Sequence, residues 1–220
     1  MTHNIFIDGA AGTTGLEIRE RLAGRDEFSL ILLNEAQRKD AASRRQAIND
    51  ADVVILCLPD DAAREAVSLI ANDRTKVIDA STAHRVAPGW TYGFPELIGR
   101  DQVAAARRVS NPGCYPTGFL ALVGPLVRAG IIPPDWPLSV NAVSGYSGGG
   151  KAMIAEFEGE GRAPTAWRTY GLSLGHKHVP EMTVHAGLSV APIFAPSVAN
   201  LLRGMIVEVP LPLGLLPGLP

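Results

Sequence analysis

Cys114 is the residue best placed for covalent chemistry. It follows Asn111-Pro112-Gly113 and precedes Tyr115-Pro116-Thr117. Residues 111–117 read as a tight turn, with an apolar helix over 118–128 behind it. Pro116 suits a first helical turn. A thiol at a helix N-terminus is favoured as the thiolate by the dipole, which is how a nucleophilic cysteine is made. The competing reading is a cysteine in a structured turn. Cys57, the other of the chain's two cysteines, lies in an apolar run over 51–58 and reads as a small buried hydrophobe.

A nucleophilic cysteine needs an acid–base partner. His176-Lys177-His178-Val179-Pro180-Glu181 is where two closely spaced histidines and a carboxylate coincide. In an extended segment His176 and His178 point the same way, and either can shuttle a proton, with Glu181 or a backbone carbonyl orienting it. Zinc is the competitor. Two histidines and one glutamate in so short a segment, with no cysteine beside them, match a zinc site poorly. His3 and His185 read as structural or surface groups, and His84 has no comparable setting.

A second constellation lies at the start of the chain. Gly9-x-x-Gly12-x-x-Gly15 separates a short apolar run over 4–8 from a helical pattern carrying Leu16, Ile18 and Leu22. Gly9 allows the sharp turn, Gly12 lets the backbone approach a pyrophosphate, and Gly15 permits close packing of helix on strand. The helix N-terminus offers N–H groups to phosphate oxygens. A plain βα turn without ligand is the alternative. At the end of the next apolar run, 28–33, Glu35 can bind ribose hydroxyls as in NAD sites. The basic cluster Arg38, Lys39, Arg44 and Arg45 can instead receive a 2′-phosphate, or form a solvated helix face; the reading leans to NADP.

These residues need a scaffold, and the pattern supplies one. Strand-like runs at 4–8, 28–33, 51–58 and 76–79 alternate with helical ones, including a helix opened by Pro59-Asp60-Asp61. The fold class expected is α/β: a Rossmann-type doubly wound parallel sheet. After Ser110 the texture changes. A strand is predicted over 138–143, a glycine loop over 144–151 and a strand over 205–209. The boundary falls near Asn111, which gives an NADP-binding domain over 1–112 and a catalytic α+β domain over 113–220.

The 220 residues are 46% hydrophobic and 19% charged, with a net charge of −2. That balance excludes disorder and a polybasic surface, so nucleic acid is not expected as a partner. No apolar run reaches the length of a membrane span, and no signal-peptide pattern opens the chain. A cytoplasmic location is expected.

Taken in order, the glycine turn, Asn111-Pro112-Gly113-Cys114-Tyr115-Pro116-Thr117, Ser144-Gly145-Tyr146-Ser147-Gly148-Gly149-Gly150-Lys151 and the His176 segment resemble the N-acetyl-γ-glutamyl-phosphate reductase family of arginine biosynthesis, in its shorter bacterial form. Residues 79–85 and 92–97 also resemble family segments. The related aspartate-semialdehyde dehydrogenases carry a similar glycine turn but usually a Cys-Ser-Thr-type sequence after the asparagine.

The resemblance implies NADPH-dependent reduction of an acyl phosphate to an aldehyde. The Cys114 thiolate attacks the γ-carbonyl and expels phosphate as a thioester forms. Hydride transfer then gives a thiohemiacetal that collapses to N-acetylglutamate 5-semialdehyde, with His176 or His178 handling the proton. It implies cofactor contacts at Gly9, Gly12, Thr13, Thr14, Gly15, Leu58, Ser81 and Gly148. Arg85, Asn111, Ser144 and Lys151 are the expected partners of the anionic substrate, and backbone N–H groups near Cys114 the partners of the oxyanion. No metal is expected. The family precedent is a homo-oligomer. Family members continue past the point where this chain ends, with a glycine-containing turn and a helix beside the cofactor. A β-aspartyl-phosphate reductase and a non-catalytic nucleotide-binding regulatory protein are the alternatives.

Overall fold

β-branched and aromatic residues at the start of the chain build a strand that becomes the second of six in a parallel sheet. The computed structural model describes residues 2–160 and 165–216. The chain divides into two units, residues 1–112 and 113–220.

The first unit runs β1 (His3–Asp8), α1 (Thr13–Leu22), β2 (Phe28–Ile31), α2 (Glu35–Lys39), α3 (Ala41–Asp50), β3 (Val53–Leu56), α4 (Asp60–Ser68), β4 (Lys76–Asp79), β5 (Thr91–Tyr92), α5 (Pro95–Ile98), α6 (Arg100–Ala105) and β6 (Arg108–Ser110). Its sheet has the order β2-β1-β3-β4-β6-β5, with every pairing parallel. From β1 the chain moves outward to β2, then returns to place β3 on the other side of β1. Ligands of open α/β sheets bind at such a switch point, beyond the carboxyl ends of the strands. The core beneath it packs Phe6, Val54, Leu56 and Val77 against Ile48 of α3 and Ala63 and Ala66 of α4.

The apolar run 51–58 is longer than the strand it makes. Ala51 caps α3, and Cys57 and Leu58 have already left the ladder as the chain turns toward Pro59. Cys57 is therefore half-buried at the strand's end rather than enclosed within it.

The second unit runs α7 (Cys114–Arg128), β7 (Ser139–Gly145), a 3-10 turn (Tyr146–Gly149), α8 (Gly150–Glu158), β8 (Trp167–Thr169), α9 (Val179–Ala186), β9 (Ile193–Ala199), β10 (Met205–Glu208) and a short 3-10 turn (Leu213–Leu215). Its sheet is mixed, in the order β10-β7-β9-β8, with β7 and β9 parallel and the two outer strands antiparallel. Helices α7 and α9 pack together.

Three local expectations change here. The helix behind the Asn-Pro-Gly turn begins at Cys114, not at Gly118, because Gly113 serves as the N-cap and Pro116 falls where a helical N–H has no partner to lose. The predicted glycine loop is mostly regular: Ser144 and Gly145 finish β7, and Gly150 and Lys151 open α8. A side chain at position 145 would meet the Leu201 carbonyl oxygen at 2.6 Å, so a close backbone approach explains that glycine. The histidine segment is a turn leading into α9, with His178 at the N-cap in αR conformation, rather than an extended strand. Residues 217–220, the end of the proline- and leucine-rich terminus, lie outside the described residues.

Candidate active site

In the first unit the glycine turn is held by its own geometry. Gly9 has φ +90°, and a Cβ there would stand 2.2 Å from the Cys57 carbonyl oxygen, so the residue must be glycine on both counts. A Cβ on Gly15 would meet the Gly9 carbonyl oxygen at 2.4 Å, which packs α1 tightly on the end of β1. Gly12 caps α1, and its N–H donates to the Gly9 carbonyl at 2.9 Å. No side chain caps the helix, and no acid occupies its first turn, where Thr13 and Thr14 stand. The positive end of the dipole is thus left for an anion.

Two cavities adjoin this turn. One, of about 480 Å³, runs from Asp8–Ala11 to the end of β2 at Leu32–Asn34. The other, of about 330 Å³, adds Gly12, Cys57 and Leu58. Asp8, a residue the sequence did not mark out, sits in both walls. Its carboxylate accepts a 2.7 Å ion-pair hydrogen bond from Arg44 Nε. Burial raises its carboxyl above the ordinary value, and Arg44 opposes that shift.

Further along the same sheet edge, Asp79 is fully buried and organises the next turn. Its carboxylate accepts from the Ser81 N–H at 2.9 Å and the Ser81 hydroxyl at 2.7 Å, and lies 2.6 Å from His84 Nδ1. The His84 ring stacks on Trp90 with centroids 4.0 Å apart. Ser81 is therefore a brace of its own loop. Arg85, buried, donates to the main-chain oxygens of Ala80 at 3.2 Å and Asn111 at 3.0 Å. The Asn111 N–H in turn donates to the Asp79 carbonyl at 2.7 Å. Asp79 and His84 fall within the family-like segment 79–85, but nothing in their spacing announced a buried pair.

In the second unit Cys114 is exposed and is the first residue of α7. The Gly113 cap carries no side chain, and the first turn holds no acid. Burial then enters from a distance. Glu181, only 1% exposed, accepts a 2.7 Å hydrogen bond from the Gly113 N–H across 68 residues of sequence. The carboxylate named as a partner for the histidines thus also holds the chain at the entrance to α7.

The structure brings both histidines together with Cys114's neighbour. His176 and His178 have ring centroids 4.7 Å apart, and the His178 N–H donates to His176 Nδ1 at 3.2 Å. His178 lies edge-on to Tyr115 at 5.9 Å, and His176 lies 6.0 Å from Tyr170. Burial, then the Lys177 charge, holds His176 below the ordinary histidine value, so its neutral form dominates at pH 7.

The sequence did not single out the hydroxyl cluster beside them. Tyr115 donates to Ser144 Oγ at 2.7 Å and stands 3.2 Å from the Tyr170 hydroxyl. Burial chiefly, and after it the Tyr115 hydroxyl and the charge of Cys114, push the Tyr170 phenol above its ordinary range. Ser144 is accordingly buried in this cluster, whereas Gly148 and Lys151 are exposed, on the 3-10 turn and at the start of α8.

Among the described residues no three metal-binding side chains converge, and no helix is long and apolar enough to cross a membrane.

Comparison with known proteins covers both units. The profile of the semialdehyde dehydrogenase NAD-binding domain matches residues 4–106, and that of the semialdehyde dehydrogenase dimerisation domain matches 114–215. The N-acetyl-gamma-glutamyl-phosphate reductase of Chelativorans sp. (strain BNC1) is 54% identical over 222 residues, covering 100% of this chain and 72% of the relative. That of Rhizobium leguminosarum bv. trifolii (strain WSM2304) is 57% identical over 97% of this chain and 71% of the relative. N-acetyl-gamma-glutamyl-phosphate reductase 2 of Pseudomonas putida is 56% identical over 97% of this chain and 69% of its own length. Among solved structures, aspartate semialdehyde dehydrogenase II of Vibrio cholerae superposes with a TM-score of 0.68 at 17% identity, over 95% of this chain and 74% of that one. The enzyme from Francisella tularensis gives 0.69 at 12%, over 95% and 75%. At those identities the structural likeness speaks for the fold alone.

Proposed function

The chain belongs to the N-acetyl-γ-glutamyl-phosphate reductase family, and from that premise we propose how its own residues carry the reaction. It is an oxidoreductase of arginine biosynthesis that reduces the acyl phosphate of N-acetyl-γ-glutamyl phosphate to the aldehyde, releasing phosphate, with a nicotinamide cofactor. We take that cofactor to be NADPH.

The glycine turn fits such a cofactor: Gly9 and Gly15, which have no room for a Cβ against the Cys57 and Gly9 carbonyls, hold the turn tight, and the uncapped start of α1 offers N–H groups to a pyrophosphate. Thr13 and Thr14 extend the cradle this makes, and Leu58 closes one wall of it. Ser81 supports the neighbouring turn through Asp79. Gly148 is assigned to the cofactor as well. When bound, the nicotinamide supplies a hydride to the carbonyl carbon.

Cys114 is the nucleophile. Its thiolate, favoured by the uncapped and acid-free start of α7, adds to the γ-carbonyl. The tetrahedral oxyanion is held by N–H groups of the same helix end. Its collapse breaks the bond to the phosphate oxygen and leaves a thioester on Sγ. After reduction the thiohemiacetal expels the Cys114 thiolate, and its hydroxyl proton passes to His176 or His178. The low-lying His176 is ready to accept it in its neutral form. Arg85, Asn111, Ser144 and Lys151 are assigned to the anionic substrate. Arg85 also fixes Asn111 through its carbonyl.

The protein works on a small molecule. We place it in the cytoplasm as a homo-oligomer, a state that light scattering in solution tests. The observation that carries the mechanism is an exposed cysteine at the first position of an uncapped, acid-free helix. The test is the reverse reaction: N-acetylglutamate semialdehyde, phosphate and NADP+ yield reduced cofactor with the wild type. Cys114→Ser yields a rate lower by at least about 10³-fold. Equal turnover in both removes Cys114 from the reaction.

A further inference from the structure

Several hydroxyl groups of the second unit spend their hydrogens on the protein itself. Thr117 Oγ1 donates to the Gly113 carbonyl at 2.8 Å, Thr183 Oγ1 to that of Val179 at 2.7 Å, and the Tyr146 hydroxyl to the Glu158 carboxylate at 2.7 Å. Ser144 differs. It stands one residue before the end of β7, an inner strand that pairs there with Met205 of β10 and Val198 of β9, and it is only 7% exposed. Its Oγ accepts from the Tyr115 hydroxyl at 2.7 Å, and no acceptor for its own hydrogen lies among the described residues.

The direction of that bond follows from counting protons. A phenol has one hydrogen to donate. Three oxygens surround the Tyr115 hydroxyl: Ser144 Oγ at 2.7 Å, the Tyr170 hydroxyl at 3.2 Å and the Ser197 carbonyl at 3.3 Å. The first of them lies at the distance a hydroxyl donor favours, and the other two lie beyond it. With the Tyr115 hydrogen spent on Ser144, Tyr170 can approach Tyr115 only as a donor. Its phenol, raised above the ordinary range chiefly by burial, keeps the proton this needs. The Ser197 hydroxyl is engaged elsewhere, 3.0 Å from Thr169 Oγ1. The order of donation is therefore Tyr170, Tyr115, Ser144, and the last hydrogen in it points away from Tyr115.

Space adjoins the Ser144 hydroxyl. A Cβ on Gly148 would have Ser144 Oγ, at 3.9 Å, as its one neighbour within 4 Å beyond the adjoining residues. A nearly buried donor with no protein acceptor and room beside it calls for an acceptor from outside the chain. Tyr115 is well held for its part. It is the second residue of α7, buried, with its ring edge-on to Phe194 at 5.2 Å and to His178 at 5.9 Å.

We propose that Tyr115 is a positioning residue: by donating to Ser144 it obliges Ser144 to present its hydroxyl hydrogen to an oxygen of the anionic substrate. The proposal rests on the assignment of Ser144 to that substrate. Tyr115 acts on the substrate through Ser144 and does not touch it.

Steady-state kinetics of the reverse reaction, with N-acetylglutamate semialdehyde, phosphate and NADP+, tests this on the wild type, Tyr115→Phe, Ser144→Ala and the double variant. Ser144→Ala lowers kcat/KM about 10- to 100-fold, the size of a hydrogen bond to a charged group. Tyr115→Phe lowers it about fivefold, because Ser144 keeps its hydroxyl and loses only its orientation. The losses appear in KM: in that for phosphate where Ser144 meets the phosphoryl oxygens, in that for the semialdehyde where it meets the rest of the molecule. The double variant stays within about twofold of Ser144→Ala, since Tyr115 then has nothing to orient. Losses that multiply in the double variant, or that leave both KM values unmoved, overturn the proposal and leave the reductase reading standing. A Ser144→Ala variant as active as the wild type overturns the assignment of Ser144, and the proposal with it. A wild type without reductase activity overturns the reading beneath both. Neutron diffraction from deuterated wild-type crystals requires no variant to fold. The Tyr115 deuteron should lie on the line to Ser144 Oγ, with the Ser144 deuteron turned away; a Ser144 deuteron aimed at the Tyr115 oxygen overturns the proposal.

Discussion

The two cysteines stand at two strand-to-helix turns, and the turns differ in what they do to a thiol. Cys57 closes β3 just before Pro59 and α4, whose first turn carries Asp60 and Asp61. Those acids already answer the positive end of the α4 dipole. The Cys57 side chain is half-buried, with Asp79 and Asp8 nearby, and burial first, then those charges, push its thiol up to about 11. Cys114 lies inside its helix, at the first position of α7, exposed, with no acid in the first turn. Position relative to the helix end, burial and neighbouring charge therefore separate an exposed thiol at a helix start from one held in the wall of the glycine turn; residue type decides neither.

The comparison can be broken most directly with a thiol reagent. With limiting iodoacetamide at pH 7.5, peptide mass spectrometry should find the label at Cys114. Cys57, at about 11, is only roughly one part in three thousand thiolate at that pH. A rate ratio below about tenfold would mean that the two turns do not differ as described.

The backbone of the Cys57 turn gives the next largest effect. Gly9→Ala would drive a Cβ into the Cys57 carbonyl at a φ of +90°. A cost on the order of 2 kcal/mol or more is expected, read as a lower melting temperature and weakened dinucleotide binding. Gly12→Ala, whose Cβ has a 3.3 Å neighbour and an ordinary φ, should be milder. If the two variants lose equally, the close approach of Gly9 to Cys57 is not the cause.

At the Cys114 turn the matching variant is Glu181→Ala, which leaves the Gly113 N–H without its buried acceptor at a cost of about 1–3 kcal/mol. Glu181→Gln keeps an acceptor and should recover most of the stability and the alkylation rate of Cys114. Rescue failing in Gln would show that the negative charge, not the hydrogen bond, is what matters there.

The smallest effect is electrostatic and local. Burial lowers the pKa of His176 below 6.5, so its imidazolium forms only as the pH falls through that lowered value. An NMR titration should place His176 below 6.5, and Lys177→Ala, which removes the second cause, should move it part of the way back. A value at or above 6.5 would separate His176 from the buried surroundings shared with Phe194, whose ring lies 5.0 Å away.

Much of the first unit was legible. Strands at β1 and β4 match apolar runs that end at glycine or polar turns, since a parallel strand covered on both faces must be apolar and its connections must break it. The limits of β3 were not legible, because apolarity continues through Cys57 and Leu58 after the ladder has stopped. In the second unit the start of α7 and the glycine segment were misread for the opposite reason. Glycines and prolines that usually signal a loop here serve as an N-cap at Gly113 and a close-packed strand end at Gly145.

Local order along the chain was enough to establish the βα alternation and the glycine turn, and to point to a helix behind Cys114, because each depends on residues within a few positions of one another. The convergence of distant groups could not be had that way. Glu181 beneath Gly113, Arg44 on Asp8 with Arg38 left facing the cavity, and His84 between Asp79 and Trp90 are pairings that exist only once the chain has folded back on itself. A side chain's charge is spent or kept according to what packs against it, and no periodicity records that.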